Sequence, residues 1–150
     1  MNLSKVVMSL CLLFLGAGLL SAQAYNGAGD KKLQIGFIPW GLGSGNGVIG
    51  TFDYGISNMV SLGVGADFYT GSDRRESNNN LFIFGRANLH LGRALNMPAS
   101  MDLYPGVGVG FYNDGVGIGG HLGFRYFFTN NIGAFIEAGN RGSIGLSFNF

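Results

Sequence analysis

Eight ionisable side chains, Asp53, Asp67, Asp102, Glu137, Arg86, Arg125, His90 and His121, are the residues of this chain whose types could do chemistry. Carboxylates, guanidiniums and imidazoles in one place could build an ion-pair network, a charged path for small ions, or a site in which a histidine activates a nucleophile. Each of the eight stands in a stretch where apolar and polar residues alternate, and each takes the polar parity. In 59–69, Val60, Leu62, Val64, Ala66 and Phe68 oppose Ser61, Gly63, Gly65, Asp67 and Tyr69. In 81–92, Leu81, Ile83, Ala87, Leu89 and Leu91 oppose Phe84, Arg86, Asn88 and His90. In 115–128, Val116, Ile118, Leu122, Phe124, Tyr126 and Phe128 oppose Gly117, Gly119, His121, Gly123 and Arg125. A period of two belongs to a strand with unlike faces, so the eight groups project from one face of a sheet.

Charges on a narrow inner face are costly unless paired, which predicts a lumen network. Arg125 and Glu137, on adjacent segments, are expected to pair, with Arg86 reaching another carboxylate. A gated ion path is the alternative. No outward-facing Ser–His pair emerges, so both histidines are read as hydrogen-bonding groups rather than catalysts. They could meet Asp67 or Asp102 around a metal, but no ligand spacing supports one and no cofactor is expected. The string G-x-G-x-x-G at Gly115, Gly117 and Gly120, with Glu137 downstream, imitates a dinucleotide fingerprint. That motif needs a helix after it, and "HLGFRYFF" is a strand pattern, so these glycines are read as interior positions.

The elements that must carry these residues are eight alternating segments, 33–41, 48–57, 59–69, 81–92, 101–112, 115–128, 132–140 and 142–150. Nothing in the chain shows convincing helical periodicity, and most segments reach the nine to eleven residues (roughly) of a tilted membrane-crossing strand. The connections are "LGSGNG", "SN", "GSDRRESNNN", "RALNMPAS", "NDG", "TNN" and the "NRG" region. With both termini on the periplasmic side, the longest charged loop, holding Asp73, Arg74, Arg75 and Glu76, faces outward. Long outer loops and short inner turns are the habit of membrane barrels, and "RALNMPAS" is the exception among the inner turns.

Only 11% of the residues are charged, against about a quarter in soluble domains. Because the polar parity is rich in glycine and small residues, it suits a narrow interior, and the apolar parity must face lipid. A soluble ligand-carrying barrel would reverse the two faces. Trp40, Tyr54, Phe68, Phe111, Tyr126 and Phe128 stand near segment ends, where interfacial girdles sit. The 28 glycines, without collagen's period, point to tight curvature or close backbone approach.

Lys5, the apolar run "VVMSLCLLFLGAGLL" and "SAQA" make residues 1–24 a cleavable signal peptide. Residues 25–32 then form a periplasmic linker and 33–150 the barrel. Cleavage would remove Cys11, the single cysteine, so no disulfide or thiol chemistry is expected. It would also take Lys5 from the 9 basic residues and leave 8 facing 8 acidic ones, which gives nucleic-acid binding no electrostatic support.

The alternating segments, the terminal "GLSFNF" and the stretch "FRYFFTNNIGAFIEAGN" resemble the small eight-stranded outer-membrane barrels of Gram-negative bacteria, of the OmpA/OmpX type, without the peptidoglycan-binding domain. The resemblance spans nearly all of the chain after the signal peptide. It implies an all-β, up-and-down transmembrane barrel of eight antiparallel strands in the outer membrane, with Phe148 and Phe150 read by the barrel-assembly machinery. It also implies a monomer in outer-membrane lipid with a structural or surface-interaction role, any extracellular partner being met through loop 71–80. A narrow pore is the second expectation and a lipid A-modifying enzyme the third.

Overall fold

Side chains that alternate between lipid and lumen need a sheet with no free edge, because unpaired backbone groups at an edge cannot be satisfied in hydrocarbon. The computed structural model, which describes residues 23–40, 46–70, 81–112 and 115–150, has this closure. Its strands are β1 (Lys31–Trp40), β2 (Gly47–Gly55), β3 (Val60–Tyr69), β4 (Leu81–Leu89), β5 (Met101–Tyr112), β6 (Gly115–Phe127), β7 (Ile132–Gly139) and β8 (Gly142–Asn149). Each pairs antiparallel with the next, and β8 returns to β1 to close the barrel. The protein is an eight-stranded antiparallel up-and-down transmembrane β-barrel.

Closure runs through Leu33↔Phe148 and Leu146↔Ile35, and the Phe150 amide donates to the Lys31 carbonyl at 3.2 Å. The β1–β8 register shifts between Phe37 and Trp40, where Pro39 lacks the N–H that a continuous ladder would use. β1 begins at Lys31 rather than at 33, which moves Lys31 and Lys32 from the expected linker into the barrel wall. The segment 1–22, and loop 71–80 with Asp73, Arg74, Arg75 and Glu76, lie outside the described residues.

The outer face is apolar along its length. Ile35, Phe37, Val48, Phe52, Leu62, Val64, Ile83, Val107, Val109, Ile118, Leu122, Ile136, Ile144 and Leu146 are all exposed. Lys31 is the single charged residue on the outward parity of the eight strands, and it sits at the rim. Exposed Trp40, Phe68 and Phe111 ring the end remote from the termini, and exposed Tyr54 stands at the terminal end. An oily exterior around a charged interior inverts a soluble fold and fits a bilayer.

The interior is less uniformly polar than the glycine-rich parity suggests. Its remote half holds a cluster of Ile38, Ile49, Tyr69, Phe82, Phe84 and Phe135. Large rings fit this narrow bore by lying against glycines, Phe84 against Gly65 and Phe82 against Gly110 on neighbouring strands, and Phe135 against Gly36 of β1. Tyr104 faces Gly123 across β5–β6, and a Cβ at Gly123 would come within 2.2 Å of the Tyr104 ring. Close approach of a ring explains these inward glycines; Gly120, read from the sequence as an interior position, instead shares the outward parity of Ile118 and Leu122 and is exposed.

Residues 23–30 do not trail away as a free linker. They fold into the terminal mouth, with the Ala24 amide bonded to the Ala99 carbonyl at 2.8 Å and Gly29 to Gly55 at 2.8 Å. Ala24 and Tyr25 are buried there.

Candidate functional site: the barrel lumen

Alternation along the strands delivers all eight candidate ionisable residues to the interior. Asp53, Asp67, Arg86, His90, Asp102, Arg125 and Glu137 are buried, and His121 is half-buried. Strand register and bore width then decide which of them meet.

The middle of the lumen is a layer built on Arg86. From β4 its Nε donates to Asp53 Oδ1 at 2.8 Å and its Nη2 to Asp53 Oδ2 at 2.5 Å, a two-pronged contact with β2. Its Nη1 donates to Glu137 Oε1 of β7 at 2.9 Å, and Nη2 also reaches Thr51 Oγ1 at 3.1 Å. Glu137 Oε1 further accepts from Tyr104 Oη at 2.9 Å and Gln34 Nε2 at 3.1 Å. Arg125 lies 4.2 Å from the centre of the Tyr104 ring, donates to Gln34 Oε1, and stands 3.6 Å from Asp53. Two guanidiniums thus face two carboxylates, and side chains of β1, β2, β4, β5, β6 and β7 take part. Planar guanidinium can bond carboxylates on different strands at once, which an ammonium could not do with the same geometry.

The expected Arg125–Glu137 pair is therefore corrected. β6–β7 register sets Glu137 opposite Gly123 and Arg125 opposite Phe135, a two-residue offset along the wall. Arg86 crosses the bore and takes Glu137 instead, and Arg125 turns to Gln34 and Tyr104. Arg86 does reach another carboxylate, Asp53, and takes Glu137 in addition.

Toward the remote end, Arg141 Nε lies 3.0 Å from Asp67 Oδ2, and its guanidinium sits 4.5 Å from the Phe84 ring centre. Arg141 was not anticipated, since it falls in a turn outside the alternating pattern. His121 Nε2 is 2.8 Å from Asn88 Oδ1. A cavity of about 120 Å³ lies here, lined by Phe82, Phe84, Arg86, His121, Glu137 and Arg141.

Toward the terminal end, Lys32 is fully buried, donates to Asp30 Oδ2 at 2.7 Å and Asn149 Oδ1 at 2.6 Å, and stands 5.1 Å from the Phe127 ring centre. His90, just past the end of β4, is 2.8 Å from Ser61 Oγ through Nε2 and 2.5 Å from Asp102 Oδ2 through Nδ1. Burial drives the His90 imidazole below its ordinary value, although Asp102 pulls the other way. Tyr25 stacks on His90 with ring centres 3.6 Å apart, and burial followed by the nearby Asp30 pushes its phenol up to about 12. A second cavity, of about 140 Å³, is lined by Tyr25, His90, Arg93, Met97, Met101 and Asp102. The long turn "RALNMPAS" supplies Arg93 and Met97. Its turn bonds, Leu95 N–H to the Leu91 carbonyl at 2.9 Å and Met97 N–H to the Gly92 carbonyl at 2.8 Å, fold it under the barrel mouth as a cavity wall.

Among the described residues no group of three His, Cys, Asp or Glu side chains is placed to hold a metal ion. Phe148 is half-exposed in β8, and Phe150 is 74% exposed beyond it.

Residues 14–143 match the family described as "Family of unknown function (DUF6646)", and the chain belongs to that family. No curated protein matches the chain. Among solved structures it is similar to one described as "De novo design of transmembrane beta-barrels", with a TM-score of 0.66 and 16% identity over 83% of this chain and 98% of that one. At that identity the likeness bears on the membrane-barrel fold alone.

Proposed function

We propose that this member of DUF6646 is an exported outer-membrane barrel of the OmpA/OmpX type whose bore is closed, serving membrane integrity or surface contact rather than transport. The observation that carries the reading is the Arg86 layer. Arg86, Asp53, Glu137, Gln34, Arg125 and Tyr104 bond to one another across the bore, and the two cavities lie on opposite sides of them. Eight strands leave an interior that side chains fill, and a neutral, cross-bonded layer offers a passing ion no unpaired charge to follow.

Export through a signal peptide, assembly through the Phe148 and Phe150 strand, a monomeric state and a partner met through loop 71–80 complete the reading. Two experiments test it. The protein should fractionate with the outer membrane and migrate differently on a gel boiled and unboiled, and recovery from the soluble periplasm without a shift would refute the localisation. In planar bilayers the wild type should be silent, and steady unitary conductance would refute the closed bore and favour the narrow-pore reading.

A further inference from the structure

Ser61, His90 and Asp102 belong to three consecutive strands or their ends and meet near the terminal mouth. Ser61 is the second residue of β3, His90 follows the last residue of β4, and Asp102 is the second residue of β5. Their contacts run in one direction, with Ser61 Oγ 2.8 Å from His90 Nε2 and His90 Nδ1 2.5 Å from Asp102 Oδ2. The Gly92 amide holds the other Asp102 oxygen at 3.1 Å. A carboxylate on Nδ1 fixes the tautomer that keeps its proton there, so the Nε2 lone pair faces the serine hydroxyl. This is the nucleophile, base and orienting acid of acyl transfer, recognised by roles and geometry rather than by order in the chain.

Two further features fit a reaction site. Asn88 Nδ2 lies 3.3 Å from Ser61 Oγ, while Asn88 Oδ1 is engaged by His121 at 2.8 Å, so the amide N–H₂ is the end turned to the serine. A side-chain amide beside the nucleophile can stabilise an oxyanion. Next to His90 and Asp102 is the cavity of about 140 Å³ walled by Met97 and Met101, with Arg93 at its edge. A cavity of about 150 Å³ holds a benzene-sized molecule, so the space beside His90 suits a small acyl or aryl group; Ser61 and Asn88 are not in its lining, and a substrate meets the serine only when Tyr25 is displaced.

Tyr25 covers the site. Its ring lies parallel to His90, and its hydroxyl donates to the Ser57 carbonyl at 2.7 Å and the Val60 carbonyl at 2.8 Å. Ser61 is 1% exposed beneath this arrangement. The cover belongs to the segment 23–30, outside the strand ladders, so it can leave while the barrel stays closed.

We propose that Ser61, His90 and Asp102 form a hydrolase site for small carboxylic esters, with Tyr25 as its removable cover. Ser61 Oγ attacks the ester carbonyl carbon as its proton passes to His90 Nε2. The bond from carbonyl carbon to alkoxy oxygen breaks, and His90 returns the proton to the departing alcohol. Water, giving a proton to His90, then attacks the acyl-serine. The carboxylic acid leaves and Ser61 recovers its proton from His90. Asp102 stabilises the imidazolium in both halves, and Asn88 faces the oxyanion. Burial favours neutral His90, the form that can accept the first proton.

The test uses the purified full barrel in detergent micelles with diisopropyl fluorophosphate, read by intact mass and peptide mapping, and p-nitrophenyl acetate hydrolysis beside it. The expected result is one adduct on Ser61, forming faster in Tyr25→Ala. Ester turnover should fall about a hundredfold in Ser61→Ala and in His90→Gln, with the gel shift on boiling unchanged. An adduct confined to Tyr25→Ala supports the covered site. No adduct on Ser61 in either wild type or Tyr25→Ala, each retaining its gel shift, overturns the proposal and leaves a structural hydrogen-bond chain. Modification at a different serine with Ser61 unlabelled overturns it equally. These readouts leave the conductance test of the closed bore unaffected.

Discussion

Replacing Arg86 by methionine isolates the charged layer, because it keeps much of the side chain's length and removes the guanidinium. Arg86 is 4% exposed and carries the 2.8 and 2.5 Å contacts to Asp53 and the 2.9 Å contact to Glu137. In its absence Glu137 keeps Tyr104 and Gln34 as donors, whereas the nearest cation to Asp53 is Arg125 at 3.6 Å. The layer passes from balance to an excess of one negative charge, felt most at Asp53. Breaking a buried pair by removing one partner costs about 3–5 kcal/mol, since the survivor is a desolvated charge. Denaturant unfolding in micelles, followed through the fluorescence of Trp40, the single tryptophan, should show that loss as a lower midpoint at unchanged slope. Adding Glu137→Gln to Arg86→Met leaves Asp53 balanced by Arg125, 3.6 Å away, so the layer is neutral again and most of the loss should be recovered. A cost below about 1 kcal/mol for Arg86→Met, or a double variant no more stable than the single, would refute the claim that the layer is a desolvated, mutually neutralised network.

Val64→Arg places a charge at the middle of β3 on the outward parity, where Val64 is 62% exposed, and should cost about 2–4 kcal/mol in lipid. A neutral effect in bilayers would mean that this face does not meet hydrocarbon. Gly123→Val forces a side chain against the Tyr104 ring, 2.2 Å from an ideal Cβ, and should destabilise by about 1–3 kcal/mol through overpacking; a wild-type unfolding midpoint would contradict the close approach. His90 supplies a pH dependence with a defined sign. Its folded value lies below the ordinary 6.5 because burial penalises the cation, so the neutral form is favoured by folding. The contribution is fully present above 6.5 and is lost as pH falls below that value through the folded pKa. The groups around this imidazole are Tyr25 in the segment 23–30, Asp102 and Tyr104 on β5, Arg125 on β6 and Asp53 on β2. Wild type should therefore lose stability on acidification below 6.5 more steeply than His90→Gln, and parallel pH profiles would refute the sign.

Strand positions and face assignment were readable because two solvents sort every strand by parity. Lipid takes one parity and the lumen the other, so Val64, Ile83 and Ile118 face out while Asp67, Arg86 and Arg125 face in. Pairing was not readable in the same way. Arg125 and Glu137 share a face on adjacent strands, yet the Gly123↔Glu137 register keeps them apart. The Arg86–Glu137 contact joins β4 to β7 across the bore, a distance set by closure and not by sequence neighbours. Ser61, His90 and Asp102 carried a fainter signal. Each lies within two residues of a strand end at the same mouth, and counting residues from the turns would have brought them to one level. Tyr25 carried none, because nothing in "YNGAGDKK" marks a segment that folds back into the barrel.

The placement of ionic and apolar layers has a consequence for register. In the remote half, Phe82, Phe84 and Phe135 fill the bore, and a strand apolar on both faces could slip by one residue at little cost, because oil would replace oil. The middle layer removes that freedom. Shifting β4 by one residue would turn Arg86 toward lipid and leave Asp53 and Glu137 unpaired inside, while shifting β2 would strand Asp53 in the same way. A buried ion pair is weak evidence for stability in itself, since a well-packed apolar replacement is often as stable. Its value here lies in the penalty it places on the wrong pairing. Arg86 touches β2 and β7 from β4, so one side chain ties the register of three strands, no two of them neighbours, in a sheet whose glycines would otherwise specify pairing weakly.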